Sequence, residues 1–361
     1  MKWFYSESHR RHDAKVEVWA GATVASTEVV ARAVAIATAL SEDPLFEEGT
    51  VTEHGVAPIE SVHDPALVHW LEGAWSECRP FSSRREVIPD TIRHAGFTDA
   101  HEHFSEPLGS PMGRLGYWCF DTMTPIVEGT YDAARGAVDV ALSALDAVLE
   151  GASSAYALCR PPGHHAGRSM IGGFCYFNNA AIVAATMAQK LGGPVAVLDV
   201  DFHHGNGTQQ IFYERSDVIY VSLHADPDRE FPYFAGRSDE LGRGEGEGAN
   251  RNFVLGAGVD DAQYVEVLDR ALDFIKGFSI KGLVISLGVD TYELDPICDL
   301  KLTTAGYERM GALVAGLALP TVIVQEGGYH VRDIGINVRS WLRGFVASTV
   351  PSPTSGAGLS N

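Results

Sequence analysis

Basic residues are scarce in this chain of 361 residues: 27 lysines and arginines face 47 aspartates and glutamates, a formal net charge of −20. That balance argues against a surface built to neutralise a phosphate backbone and favours cationic partners through long-range attraction. The five cysteines, at 78, 119, 159, 175 and 298, form no CxxC pair and are odd in number, so neither a disulfide framework nor a cysteine zinc site is indicated. They read as free thiols. Long apolar runs are also lacking, since "ALVAGLALPTVIV" at 312–324 contains Pro320 and is too short to span a bilayer. The opening "MKWFYSESHRRHDAK" has no apolar signal core, so the expected location is cytoplasmic. No internal repeat and no Pro- or Ser-rich linker divides the chain, and only the tail at 348–361 reads as flexible.

What is present is an alternation of short apolar runs and helical patterns. Candidate strands lie at 153–159, 194–200, 218–224, 282–288 and 320–325, and helical spacing follows each at 177–191, 206–214, 262–277, 303–318 and 332–346. Strands apolar throughout and separated by helices predict a central, mainly parallel sheet covered by helices on both faces. The expectation is one α/β domain over 1–347. Residues 77–117 have weak periodicity and many turn formers, and read as a long inserted loop.

In open α/β sheets, ligands gather at the carboxyl ends of strands. Four such ends here carry polar residues: "RPPGHHAG" (160–167), "DFHHGNG" (201–207), "VDTYELDP" (289–296) and "EGGYH" (326–330). Asp201 and His203, two residues apart in a turn, can aim at one ion, and Asp290 would complete one nitrogen and two carboxylate ligands with a position left for water. The competing structural reading makes Asp201 a helix cap and His203 a core histidine. His164 and His165 can both face a cleft from a loop, where a neutral imidazole suits a general base; the alternative is a structural pair. Tyr329 follows Gly327 and Gly328, which let the backbone bend tightly enough for the phenol to reach an oxyanion. "GRGEGEG" (242–248) lacks the lysine of a phosphate loop and reads as a flexible turn. "HEHF" (101–104) reads as surface loop rather than metal site, and Cys175 in "FCYF" as buried packing rather than a nucleophile.

Together these residues resemble the zinc-dependent histone deacetylase superfamily. "RPPGHHA", "GGFCYFNNAAI" (172–182), "DVDFHHGNGTQ" (199–209), "LGVDTYELDP" (287–296) and "EGGY" (326–329) recur in its order and approximate spacing, from about residue 117 onward. "HADPDREFPYFAGRSDE" (224–240), "GYWCFDTMTPIVEGTYDAA" (116–134) and "ESHRRHDAKVEVWAG" (7–21) are similar to the bacterial acetylpolyamine amidohydrolase and class II-like branch. The resemblance implies one Zn²⁺ on Asp201, His203 and Asp290, catalytic His164 and His165, an oxyanion phenol at Tyr329, and a substrate tunnel at Gly173, Phe174 and Phe231. It also implies a structural K⁺ held by carbonyls around Asp199, Asp201 and His203, with Ser222 nearby. Asn206 stands where class I enzymes have an aspartate supporting the second histidine, so His165 should be less biased toward imidazolium, while Asp199 remains to orient His164.

The implied activity is removal of acetyl or a similar small acyl group from a primary amine. The acceptor stays open among a small cationic acetylated amine such as an acetylpolyamine, a protein acetyl-lysine and another amide. In the polyamine branch the region matching 77–117 narrows the mouth and helps form a dimer, so a homodimer or higher homo-oligomer is expected, with Glu102 and Glu106 available to draw cations inward. No nucleic acid or membrane partner is expected. An arginase-type binuclear site would need a second carboxylate where Gly205 stands, and a silent acyl-binding module would have lost a ligand or the tyrosine.

Overall fold

The computed structural model describes residues 1–94 and 109–349; "HEHF" at 101–104, with Glu102, and Glu106 lie outside the described residues, as does the tail beyond 349. The strands, numbered in chain order, are β1 Lys2–Phe4, β2 Val16–Trp19, β3 Ala22–Ala25, β4 Glu47–Glu48, β5 Ser154–Ala157, β6 Val195–Asp199, β7 Val218–Ala225, β8 Asn250–Leu255, β9 Leu283–Leu287 and β10 Thr321–Gln325. Eight of them form one sheet in the order β4-β1-β5-β10-β9-β6-β7-β8, with every neighbouring pair parallel. β2 and β3 form a separate antiparallel hairpin. All five expected strands are present within a residue or two of their predicted bounds.

The strands are apolar throughout because both faces are covered. Side chains alternate between faces with period two. Val195, Val197, Val284, Val322 and Val324 point into one core, against the helices Thr130–Leu149 and Asn179–Leu191. Ala196, Leu198, Ile285 and Ile323 point into the other, against Val30–Ser41, Asp261–Lys276, Thr304–Ala315 and Ile334–Thr349. Burying each such aliphatic side chain contributes on the order of 1.5–3 kcal/mol. Helix starts carry their own signals: the Asn178 side chain accepts from Ala181 N at 2.9 Å, and Asp260 forms a capping box with Gln263.

Two expectations need correction. The segment 77–117 is not a loop throughout. The helix Pro65–Cys78 runs into it, a 3-10 turn Arg79–Phe81 follows, and Ser110 caps a helix at Pro111–Trp118. Weak periodicity concealed that second helix because its eight residues are short and interrupted by Gly113 and Gly116. "GRGEGEG" is a turn, but a packed one rather than a flexible one: Gly244–Gly246 makes a single 3-10 turn, and a Cβ on Gly246 would meet Tyr213 O at 2.6 Å. The final helix is Ile334–Thr349.

Candidate metal centre and active site

Neighbours in the middle of the sheet, β5, β10, β9 and β6, supply the four polar strand ends, which is why residues 160 positions apart in sequence meet. After β6 the chain turns through Asp201 and His203; after β9 it reaches Asp290. One ligand atom of each of these three buried residues lies within 4.8 Å of the others. His203 Nδ1 stands 3.1 Å from Asp290 Oδ2 and 3.4 Å from Asp201 Oδ1. Backbone amides hold the carboxylates: Gly327 N donates to Asp201 Oδ2 at 2.8 Å, and Phe202 N to Asp290 Oδ1 at 2.9 Å. Asp201 is not a helix cap, because Gly205 is the N-cap of the helix Asn206–Phe212.

The donor set fits a divalent cation. Two carboxylates buried side by side repel each other in a poorly solvated place. Burial and the Asp201 charge push the Asp290 carboxyl up to about 7, whereas Asp201 stays low: burial opposes its charge, and His164 and His203 outweigh it. Burial disfavours the His203 imidazolium, yet the two carboxylates draw it up to about 9. A cation among the three would satisfy both carboxylates without that proton. One nitrogen and two oxygens with an open side is the donor pattern of catalytic rather than closed structural sites.

The tandem histidines sit directly beside this cluster, their ring centroids 4.0 Å apart. Their hydrogen-bond partners differ. His164 Nδ1 lies 3.1 Å from Asp199 Oδ2 and its Nε2 3.7 Å from Asp201 Oδ1, so against the cost of burial the carboxylates raise it to about 10. His165 Nδ1 pairs with the neutral Asn206 Oδ1 at 2.7 Å, and burial together with the His164 and His203 charges drives it well below its ordinary range. Proton affinity is therefore split between two adjacent imidazoles.

Phe174 and Phe231 stand over the site. Phe231 meets His165 edge to face at 4.9 Å, and Phe174 lies 5.7 Å from the Tyr329 ring. Gly173 and Phe174 both have left-handed backbones, φ +57° and +66°, and a Cβ on Gly173 would strike the His165 ring. A phenylalanine held at positive φ is costly and is kept where the surroundings fix it. Here Asp121 accepts from Gly173 N and Thr124 Oγ1 from Phe174 N at 3.0 Å. Tyr329 N donates to Asp295 Oδ2 at 2.6 Å, and burial keeps the phenol protonated. Asp199, the last residue of β6, and Ser222, its register partner within β7, are both buried; the Ser222 hydroxyl pairs with His224 Nδ1 at 2.7 Å. Cys175 is buried with its thiol pushed up by burial, unsuited to nucleophilic work.

Three contributors escaped the sequence reading. Arg32, from the helix Val30–Ser41, lies 4.6 Å over the Tyr329 ring and donates to Glu326 O at 2.7 Å. Glu326 Oε2 accepts from Gly163 N at 2.6 Å and His164 N at 3.2 Å, which clamps the histidine loop to the end of β10. Asp295 carries the Tyr329 backbone. Glu326 and Asp295 lie within quoted motifs, at their edges, whereas Arg32 belongs to no motif and has no sequence signal.

A parallel α/β sheet carries a buried Asp-His-Asp cluster that could hold a metal ion beside paired histidines. The chain belongs to the histone deacetylase family: the histone deacetylase domain matches residues 26–345. It is 40% identical over 345 residues to acetylpolyamine amidohydrolase 2 of Pseudomonas aeruginosa, covering 96% of this chain and 98% of that protein. It is 39% identical over 345 residues to the acetylpolyamine amidohydrolase of Mycoplana ramosa, covering 95% and 99%. The crystal structure of an acetylpolyamine aminohydrolase from Burkholderia pseudomallei superposes with a TM-score of 0.90 at 38% identity, covering 96% of this chain and 99% of that one. The chain is thus a hydrolase acting on amide bonds. Among the described residues no helix is long and apolar enough to cross a membrane.

Proposed function

We propose that the protein is a Zn²⁺-dependent amidohydrolase that removes acetyl groups from small acylated amines, acetylpolyamines among them as the names of its relatives suggest. The observation that carries the reading is the buried Asp201, His203, Asp290 cluster placed against His164 and His165. When bound there, the ion would polarise the amide carbonyl and acidify water. His165, held neutral by burial and paired with Asn206, accepts a proton from the attacking water. The Tyr329 phenol donates to the carbonyl oxygen as negative charge develops on it. The C–N bond breaks, the water oxygen stays with the acyl carbon as carboxylate, and a tandem histidine delivers the proton to the departing amine. Asp199 orients His164 in this scheme. Gly173, Phe174 and Phe231 form the tunnel wall and exclude bulk water.

The catalytic unit in this proposal is 1–347 with a tail at 348–361, acting in the cytoplasm as a homo-oligomer, with a structural K⁺ near Asp199, Asp201, His203 and Ser222. The test is metal dependence. Chelation should abolish hydrolysis of an acetylated amine and Zn²⁺ should restore it. Undiminished turnover after verified metal removal would overturn the reading.

A further inference from the structure

The hairpin of β2 and β3 sets one large aromatic side chain at the mouth of this site. Trp19, the last residue of β2, is 43% exposed and lines the same cavity as His165, His203, Phe231, Ile297 and Tyr329. Strand side chains alternate, so Trp19 shares a face with Glu17, which is buried and accepts from Thr27 N and Oγ1, both at 3.1 Å. The turn that follows is tight. Trp19 and Ala22 are partners across the hairpin, and Ala20 and Gly21 between them have φ of +47° and +79°. Alanine is rare in that left-handed region, where strain is kept when the surroundings fix it. Val18 N donates to Thr122 O at 3.2 Å and Thr122 Oγ1 donates to Val18 O at 3.0 Å. The neighbouring Asp121 accepts from Gly173 N, so the hairpin is tied to the turn at Gly173. Two carboxylates flank the same walls: Glu230 precedes Phe231, and Asp299, two residues beyond Ile297, pairs with Arg229 at 2.6 Å.

From this placement we infer that Trp19 is a specificity-determining residue, whose indole face receives the free ammonium at the far end of an acylated diamine or polyamine. The inference rests on the amidohydrolase reading and deepens it by naming the group that reads the amine tail. The face of an indole carries negative quadrupolar charge and attracts an alkylammonium within about 6 Å of the ring centre, more strongly than the other aromatic side chains do. Because Trp19, His203 and Tyr329 line one cavity, an amide held at His203 and Tyr329 can reach the indole with its other end. Partial exposure of Trp19 lets the ammonium keep water on its outer side, which limits the cost of desolvation. The net charge of −20 gathers cations from a distance and is screened by salt, whereas contact with the ring acts at short range.

The experiment compares N-acetyl-1,4-diaminobutane with N-acetylpentylamine, in which a methyl replaces the ammonium. Metal-loaded wild-type, Trp19→Leu and Trp19→Phe enzymes are assayed at about 0.5 M salt, where the field of distant charges is screened. The readout is the ratio of kcat/KM for the cationic amide to that for the neutral one, which cancels whatever apolar contact both lose. Trp19→Leu should lower this ratio by about threefold to tenfold, the range of a cation–π contact, and Trp19→Phe should restore part of it. A ratio left unchanged by Trp19→Leu would overturn the inference. Calorimetric binding of the product amines, 1,4-diaminobutane and pentylamine, makes the same comparison without turnover. Weaker binding of the diamine alone in Trp19→Leu, with no amide hydrolysed by the wild-type enzyme, would sink the amidohydrolase reading while leaving the role of Trp19 standing. Equal losses for both amines would overturn that role.

Discussion

Tyr329 is held by three separate segments: Asp295 takes its backbone N–H, Arg32 covers one face of the ring, and Phe174 stands near it. Its phenol, kept protonated by burial, is a fixed donor. Tyr329→Phe should lower turnover by about 10²–10³-fold, the loss of one oxyanion donor, with metal content unchanged by elemental analysis. Wild-type turnover would remove the phenol from the chemistry. Asp290 plays the other part. Asp290→Ala deletes one of the three proposed ligands and leaves Asp201 and His203 free to pair as ions at 3.4 Å. Zn²⁺ affinity in a competitive chelator titration should fall by more than about 100-fold, beyond the effect typical of an outer-shell partner. Retained affinity would place the metal elsewhere.

At the scale of elements, the turn after β10 shows how closely backbone and site are fitted. A Cβ on Gly327 would fall well inside van der Waals contact of the Asp201 and Asp290 carboxylates, while Gly327 N holds Asp201 Oδ2 at 2.8 Å. Gly327→Ala should therefore weaken metal binding at least tenfold, on the scale of disturbing a ligand's support, with far-UV circular dichroism unchanged. Normal affinity would show that the turn yields without moving the ligands. The five strands around the site were legible in the sequence because burial on both faces leaves each a continuous apolar run, and the proposed ligands follow those runs within four residues. β1, β4, β8 and the β2–β3 hairpin were not legible; β8 opens on the polar run Asn250-Arg251-Asn252. β1 and β4 are three and two residues long, too short for a period, and β3 is exposed along its length. Arg32 was silent for a different reason: a guanidinium inside an alanine-rich helix is indistinguishable in sequence from one facing solvent, and only the fold turns it toward Tyr329.

Over the whole molecule, buried titratable groups set the acid limit. Glu28 is wholly buried: burial works against its charge, but Arg160 and Arg32 bring the carboxyl down to about 2 from an ordinary 4.5. Arg160 reaches it through Nη2 at 2.8 Å and Arg32 through Nη1 at 2.6 Å. A carboxyl depressed in the folded state contributes stability that is complete above about 4.5 and is lost as pH falls toward about 2. His12 and His63 act in a higher window with the same sign. Burial lowers both to about 4 from 6.5, so the unfolded chain takes up protons first and stability declines between those values. His12 Nδ1 pairs with Thr130 Oγ1 at 2.9 Å, in the first turn of the helix Thr130–Leu149, far from the ligand cluster in sequence. The urea midpoint of unfolding should therefore fall from pH 7 to pH 4, and fall less steeply in His12→Gln, whose side chain keeps polar contact with Thr130 but does not titrate. Slopes indistinguishable between the two proteins would show that His12 is solvated in the native state and that the acid limit is set elsewhere.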